Sequence, residues 1–234
     1  MSLTAEQLAD LMPDATQLES NEPEMESSLH YAQLALLVAC LEWLWRDSPA
    51  ETLREHADFF IGANLTIYFS REQLKNKDFR GPDFFLVKQT ENRPRRSWVV
   101  WEEGGQYPDL IIELLSDSTA QKDRTLKKTL YQDRFRTPEY FWFSPETLEF
   151  EGFQLVNHRY EPIPADAQGR RWSQVLELYL GVEQGQLRYF HANGELVPTP
   201  AEAAAQAQIQ AQQAETRADR LAAQLRSLGI EPDR

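Results

Sequence analysis

The segment from Tyr107 to Phe143 constrains the fold more than any other part of the chain. It opens with the apolar run Tyr107-Pro-Asp-Leu-Ile-Ile-Glu-Leu-Leu115 and, after a polar stretch, resumes with the aromatic run Tyr140 to Phe143. Between them, residues 118–134 contain neither glycine nor proline, and the first breaker is Pro138. This pattern predicts a strand at Asp109 to Leu115, a helix from Ser118 to Arg134 capped by Ser118 or Thr119, and a strand at Tyr140 to Phe143. Strand, helix, strand makes a crossover unit. Further β-rich runs lie at Leu65 to Phe69, Asp83 to Val87, Ser97 to Trp101 and Leu148 to Phe153. From Ser28 to Arg46, Leu34, Leu37, Val38, Leu41, Leu44 and Trp45 recur at three- and four-residue steps, predicting a helix packed on a sheet. Turn signals at Asp166 to Gly169 and Ala192-Asn-Gly194 predict short strands and a hairpin. The class expected is a mixed α/β domain.

The two flanks read differently from this core. Residues 1–25 form an acidic leader, and residues 1–29 hold seven acids and no base. Thr4-Ala-Glu-Gln7 has capping-box spacing, while Pro13, Asn21 and Pro23 interrupt the rest of the leader, so one short helix in a loose, partly flexible segment is expected. The main domain is expected over 26–199. Residues 200–234 turn to alanine and glutamine with no aromatic residue. Counting back from Leu228 by steps of three and four gives Leu225, Leu221, Ala218, Ala214, Ala211, Ala207 and Ala204, a heptad seam with a thin alanine core. A solvated helix and a coiled coil joining two copies into a homodimer both fit, because alanine buries little area.

Composition narrows the function. Thirty-seven acids against 24 bases give a net charge of −13, which argues against coating nucleic acid through the overall field. Residues 71–136, with 14 bases and 11 acids, are the place for any polyanion contact. The longest apolar run, Leu34 to Leu41, is far shorter than the roughly 20 residues a membrane helix needs, and the N-terminus lacks signal-peptide character. No membrane association and a cytoplasmic location are expected. The lone Cys40 forms no internal disulfide, and His30, His56, His158 and His191 show no zinc-ligand spacing. No Gly-x-Ser-x-Gly elbow or phosphate-cradling glycine loop is present.

The chemistry centres on one acid. Period-two alternation sends Asp109, Ile111, Glu113 and Leu115 to one face of their strand and Leu110, Ile112 and Leu114 to the other. Glu113 therefore lies among aliphatic residues, where a carboxylate costs several kcal/mol unless it is paired, protonated or bound to a cation. Asp109 is roughly 13 Å away along the strand, too far to share one ion. Gly81-Pro-Asp-Phe-Phe-Leu-Val87 repeats the grammar of Tyr107 to Leu115, a Pro-Asp pair leading into a strand. If the two strands are neighbours at about 4.8 Å, Asp83 and Glu113 reach one hard cation. Asp109 is then a turn or strand-capping residue, with a site role as the lesser alternative. Lys122, Arg124, Lys127 and Lys128 stand on the helix after this strand, with Asp123 four residues before Lys127 and Tyr131 four after. One base pointing at the acids and a solvated face with an intrahelical ion pair are both compatible with that spacing.

Five strings together carry a family resemblance: Asp78-Phe-Arg-Gly-Pro-Asp-Phe-Phe85, Trp98-Val-Val-Trp-Glu-Glu-Gly-Gly105, Tyr107 to Ser116, Asp123-Arg-x-x-Lys127 and Thr137-Pro-Glu-Tyr-Phe141. They resemble the Uma-two family of restriction endonucleases, a branch of the PD-(D/E)XK nuclease superfamily, over about residues 26 to 195. The resemblance implies a restriction-endonuclease-like central mixed sheet flanked by helices, DNA as substrate and Mg2+ or Mn2+ as cofactor. It implies Asp83 and Glu113 as catalytic metal ligands. Leu115 stands where the parent motif has lysine, and Lys127 matches the family's relocated lysine. Glu26 is the closest match to a further acid from the first helix. Arg80, Arg93, Arg95 and Arg96, near the motif strands, are candidates for phosphate contact, or a solvated loop. Two functions fit this reading: a divalent-metal-dependent DNA endonuclease, and a degenerate nuclease fold serving as an interaction or oligomerisation module.

Overall fold

The computed structural model describes residues 18–20, 22, 25, 27–47, 58–70, 81–116 and 119–227. The leader helix at Thr4 to Gln7, the candidates Glu26 and Arg80, and Ser118 lie outside the described residues. Two units divide between Val197 and Pro198.

The first unit is built on a six-stranded sheet. Its strands are β1 (Phe59–Ala63), β3 (Phe84–Lys88), β5 (Leu110–Leu114), β6 (Glu139–Phe143), β7 (Phe150–Val156) and β8 (Arg159–Pro162), in the order β1-β3-β5-β6-β7-β8. Only β5 and β6 run parallel, and the helix between them, α2, spans residues 120–135. The sheet is therefore mixed, and the crossover expected from Asp109 to Phe143 is its centre. Burial follows the alternation. Leu110, Ile112 and Leu114 join α1 (Ser28–Glu42, continued by a π-helical turn, Trp43–Asp47) and the three-stranded sheet of β9 (Arg171–Ser173), β10 (Leu178–Glu183) and β11 (Gln186–Phe190) in one core. Ile111 and Leu115 face the other core with Phe85, Val87, Tyr131, Phe135 and Tyr140.

Three expectations need correction. The runs Leu65 to Phe69 and Ser97 to Trp101 shorten to β2 (Ile67–Tyr68) and β4 (Trp98–Val99), a separate parallel pair. Chain reversal ends β4, with Glu102 and Glu103 N–H groups both donating to the Val99 carbonyl. Strand β1 was not among the expected elements. Its Gly62 lies under the Phe85 ring, 2.1 Å from where a Cβ would sit, so only glycine lets β1 and β3 pack there. Residues 18–20 of the leader are docked rather than loose: Ser97 donates to the Leu18 carbonyl (2.6 Å), Tyr68 to the Glu19 carbonyl (2.7 Å), and Ser20 N–H to the Arg96 carbonyl (3.0 Å).

The second unit is α3 (Pro200–Ser227). A reciprocal cap starts it, Glu202 N–H donating to Thr199 Oγ1 (3.1 Å) and Thr199 N–H to the Glu202 carboxylate (2.7 Å). No residue of α3 is buried, and Ile209 and Leu221 are exposed.

Candidate active site

Strands β3 and β5 are antiparallel, with Phe84 opposite Ile112. One step further along this register sets Asp83, at the start of β3, against Glu113 near the end of β5. Leu114 N–H donates to Asp83 Oδ2 at 2.7 Å, and Asp83 N–H approaches Glu113 Oε2 at 3.4 Å. Glu113 is fully buried, at 0% exposure. Its charge is met from α2: Lys127 Nζ lies 2.9 Å from Glu113 Oε2, and Tyr131 Oη donates to Glu113 Oε1 at 2.7 Å. The ammonium also lies 3.0 Å from Asp123 Oδ1. Of the two sequence alternatives for this helix face, the base pointing at the acids is therefore found, together with the intrahelical pair.

A π-helical turn of α2 helps line up Asp123 and Lys127. In an α-helix residues four apart drift by about 40°. Asp123–Lys127 is a wider turn, which offsets that drift between these two positions, while the second such turn, Tyr131–Phe135, follows Tyr131. The N-cap residue is Thr119, one of the two expected, but its side chain makes no capping bond; its own N–H donates to Ser116 Oγ at 3.2 Å.

Two further groups border the site. Glu22, from the docked leader, accepts from Thr66 Oγ1 at 2.8 Å and from Gly81 N–H, and the charges of Lys127 and Asp83 both act on it. Gly81 itself packs on the Leu65–Thr66 backbone, where a Cβ would lie 2.0 Å from the Leu65 carbonyl oxygen. Buried His30 lies 2.8 Å from Ser27 Oγ through Nδ1 and 3.2 Å from the Leu115 carbonyl through Nε2. A carbonyl only accepts, so Nε2 carries the proton.

Burial dominates the electrostatics. It raises the carboxyls of Asp83 and Glu113 above the usual range, Glu113 strongly, against the lowering effect of Lys127. Burial alone would lower Lys127, but the carboxylates of Glu113, Asp123 and Asp83 outweigh it and hold the ammonium charged, above the ordinary lysine value. Two buried carboxyls, Glu113 and Asp123, thus share one ammonium with the half-buried Asp83 beside them, so the carboxyls outnumber the positive charge. Asp83 and Glu113 are hard oxygen donors on adjacent strands and fit a hard divalent cation that keeps several waters. Among the described residues no three His, Cys, Asp or Glu side chains gather as a ready-made ligand set.

The other sequence candidates are placed elsewhere. Asp109 Oδ2 accepts from Lys88 N–H at 2.7 Å, a cap at the far end of the β3–β5 pair. Arg95, its side chain 2% exposed, lies over the rings of Phe60 and Trp98 and binds both oxygens of Glu103. Arg93 shares Glu103 at 2.7 Å, and Arg96 pairs with Glu19 at 2.8 Å. Sequence reasoning passed over Tyr131 and Asp123 as ordinary members of a helix face and Glu22 as part of a loose leader. The spacing of Asp123, Lys127 and Tyr131 was the signal available for the first two.

A carboxylate pair on adjacent strands, met by a lysine from the crossover helix, defines a site suited to phosphoryl chemistry. Residues 17–186 match Uma2, described as putative restriction endonuclease, and the chain belongs to that family. Among solved structures, a putative nuclease belonging to DUF820 from Anabaena variabilis is similar over 77% of this chain and 95% of its own, with 14% identity and a TM-score of 0.46. A search of curated proteins found no match. Among the described residues no helix is long and apolar enough to cross a membrane.

Proposed function

We propose that the protein is an endonuclease that hydrolyses DNA phosphodiester bonds with a divalent cation, Mg2+ or Mn2+. The observation that carries this reading is the fully buried Glu113 beside the half-buried Asp83, with the Lys127 ammonium held between Glu113 and Asp123. A fold with no chemistry to perform gains nothing from a fully buried acid in the middle of a strand. Asp83 and Glu113 would hold the cation, which when bound supplies Lewis-acid polarisation of the phosphate and a water of lowered pKa. The protein's own groups do the rest. The Leu114 N–H and the Tyr131 hydroxyl fix the two carboxylates in orientation, so no reorganisation is needed as charge develops. The Lys127 ammonium orients the attacking water and offsets charge on the phosphoryl oxygens. Water attacks phosphorus and gives up a proton to solvent, the bond to the leaving oxygen breaks, and that oxygen takes up a proton from solvent.

Of the described candidates, Arg93 and Arg96, with side chains 46% and 72% exposed, are placed to exchange a carboxylate partner for a backbone phosphate. Arg95 is better assigned to holding its loop. The exposed seam on α3 supports self-association through Ala204, Ala207, Ala211, Ala214, Ala218, Leu221 and Leu225. Light scattering of the chain with and without residues 200–234 tests this, and equal monomeric masses would refute it. For the activity, duplex, single-stranded and branched DNA are incubated with Mg2+ or Mn2+, with EDTA, and with the Asp83→Asn variant. Cleavage that requires the cation and Asp83 is expected; cleavage persisting in the variant would contradict the assignment.

A further inference from the structure

Asp123 has no place in the chemistry so far. It is 1% exposed, and its Oδ1 is fully buried. Apart from the ammonium 3.0 Å away, that oxygen meets no hydrogen-bond donor among the described residues. Its backbone is held at both ends, Asp123 N–H donating to the Thr119 carbonyl (3.1 Å) and the Asp123 carbonyl accepting from Tyr140 Oη (2.9 Å). The carboxylate is thus fixed, buried and directed at one group, Lys127. That group lies between two nearly equal attractions, 2.9 Å from Glu113 and 3.0 Å from Asp123.

We propose that Asp123 is a positioning residue that gives Lys127 a second seat: the ammonium stands in for a cation on Glu113 and withdraws onto Asp123 when a divalent cation takes Glu113. This rests on the reading of Asp83 and Glu113 as cation ligands. The physical need is plain. Glu113 Oε2 is the oxygen the ammonium occupies, and a buried ammonium cannot leave one carboxylate unless another receives it. Lysine, a compact charge on a flexible four-carbon stem, makes that short move without leaving the site. Asp123 therefore acts on cation binding through Lys127.

A double-mutant cycle in Mn2+ affinity tests the device. Mn2+ is titrated calorimetrically into the full-length protein, Asp123→Asn, Lys127→Met and the double variant, with folding checked by circular dichroism and Lys127→Gln as replacement where the methionine variant does not fold. Lys127→Met is expected to bind roughly tenfold more tightly and Asp123→Asn roughly tenfold more weakly, as coupled neighbours do. In the Lys127→Met background, Asp123→Asn should change affinity by less than about twofold. Equal weakening in both backgrounds would show Asp123 acting by its own field and overturn the proposal, while leaving Asp83 and Glu113 as ligands. Binding by Lys127→Met alone would support the stand-in in its strongest form. Absence of binding in all four proteins would remove the cation reading and this proposal with it.

Discussion

Two ends of one strand pair carry the same device with different outcomes. At one end Asp83 accepts the Leu114 N–H at 2.7 Å; at the other Asp109 accepts the Lys88 N–H at 2.7 Å. The repeated Pro-Asp grammar explains the symmetry. In an antiparallel pair the start of each strand lies against the end of the other, so an acid at either start caps the opposite strand. The ends differ in what surrounds the cap. Asp83 has the buried Glu113 beside it and the Lys127 ammonium reaching in, whereas the charge acting on the half-buried Asp109 is that of Lys88. An aspartate cap is architecture; a second buried acid and a lysine from the crossover helix make it a candidate centre.

The largest effect expected separates the two ends by activity. Asp83→Asn or Glu113→Gln should lower DNA cleavage by at least about a thousandfold, because several kcal/mol of transition-state stabilisation go with the cation. Asp109→Asn should cleave at the wild-type rate, and a comparable loss there would erase the distinction. A smaller effect sharpens the account of Glu113 itself. Tyr131→Phe leaves one carboxylate oxygen without its donor and should cost about 1.5–3 kcal/mol of stability in chemical denaturation, the range for bonds to charged groups. An unchanged midpoint would show that the hydroxyl is not holding Glu113.

The pH dependence of stability comes from burial, which raises the Glu113 carboxyl. With EDTA present, the folded protein holds that proton more tightly than the unfolded chain does. Stability should therefore decline as pH rises from the ordinary carboxylate range, about 4, through the raised value. Glu113→Gln should flatten the melting temperature against pH more than Asp109→Asn does. Equal slopes in the two variants would contradict the electrostatic difference between the ends. The smallest effect is the cap itself: Asp109→Asn should cost about 1 kcal/mol, read from the same denaturation curves.

Legibility in the sequence divides along the same line. Period-two alternation around Glu113 assigned both faces of β5, and strand spacing chose Asp83 over Asp109 as its neighbour, because both depend on local geometry. Asp123 and Tyr131 were visible only as spacings of four from Lys127, since neither the π-helical turn Asp123–Lys127 nor the partners of these two side chains leave a mark in composition. Glu22 was illegible for another reason: its partners Thr66 and Gly81 are more than forty residues away, and the leader's acidity suggested solvent. The arginines looked free because Glu103 and Glu19, which pair with them, come from a turn and from that same leader.

Asp83 and Glu113 are proposed to hold one hard cation together. Calorimetric titration of Mn2+ into the intact protein and into folded Asp83→Asn, Glu113→Gln and Asp109→Asn variants tests it most directly. One bound ion per chain is expected in the intact protein and in Asp109→Asn, and loss of binding in the other two. Binding that survives in Asp83→Asn and Glu113→Gln would contradict it.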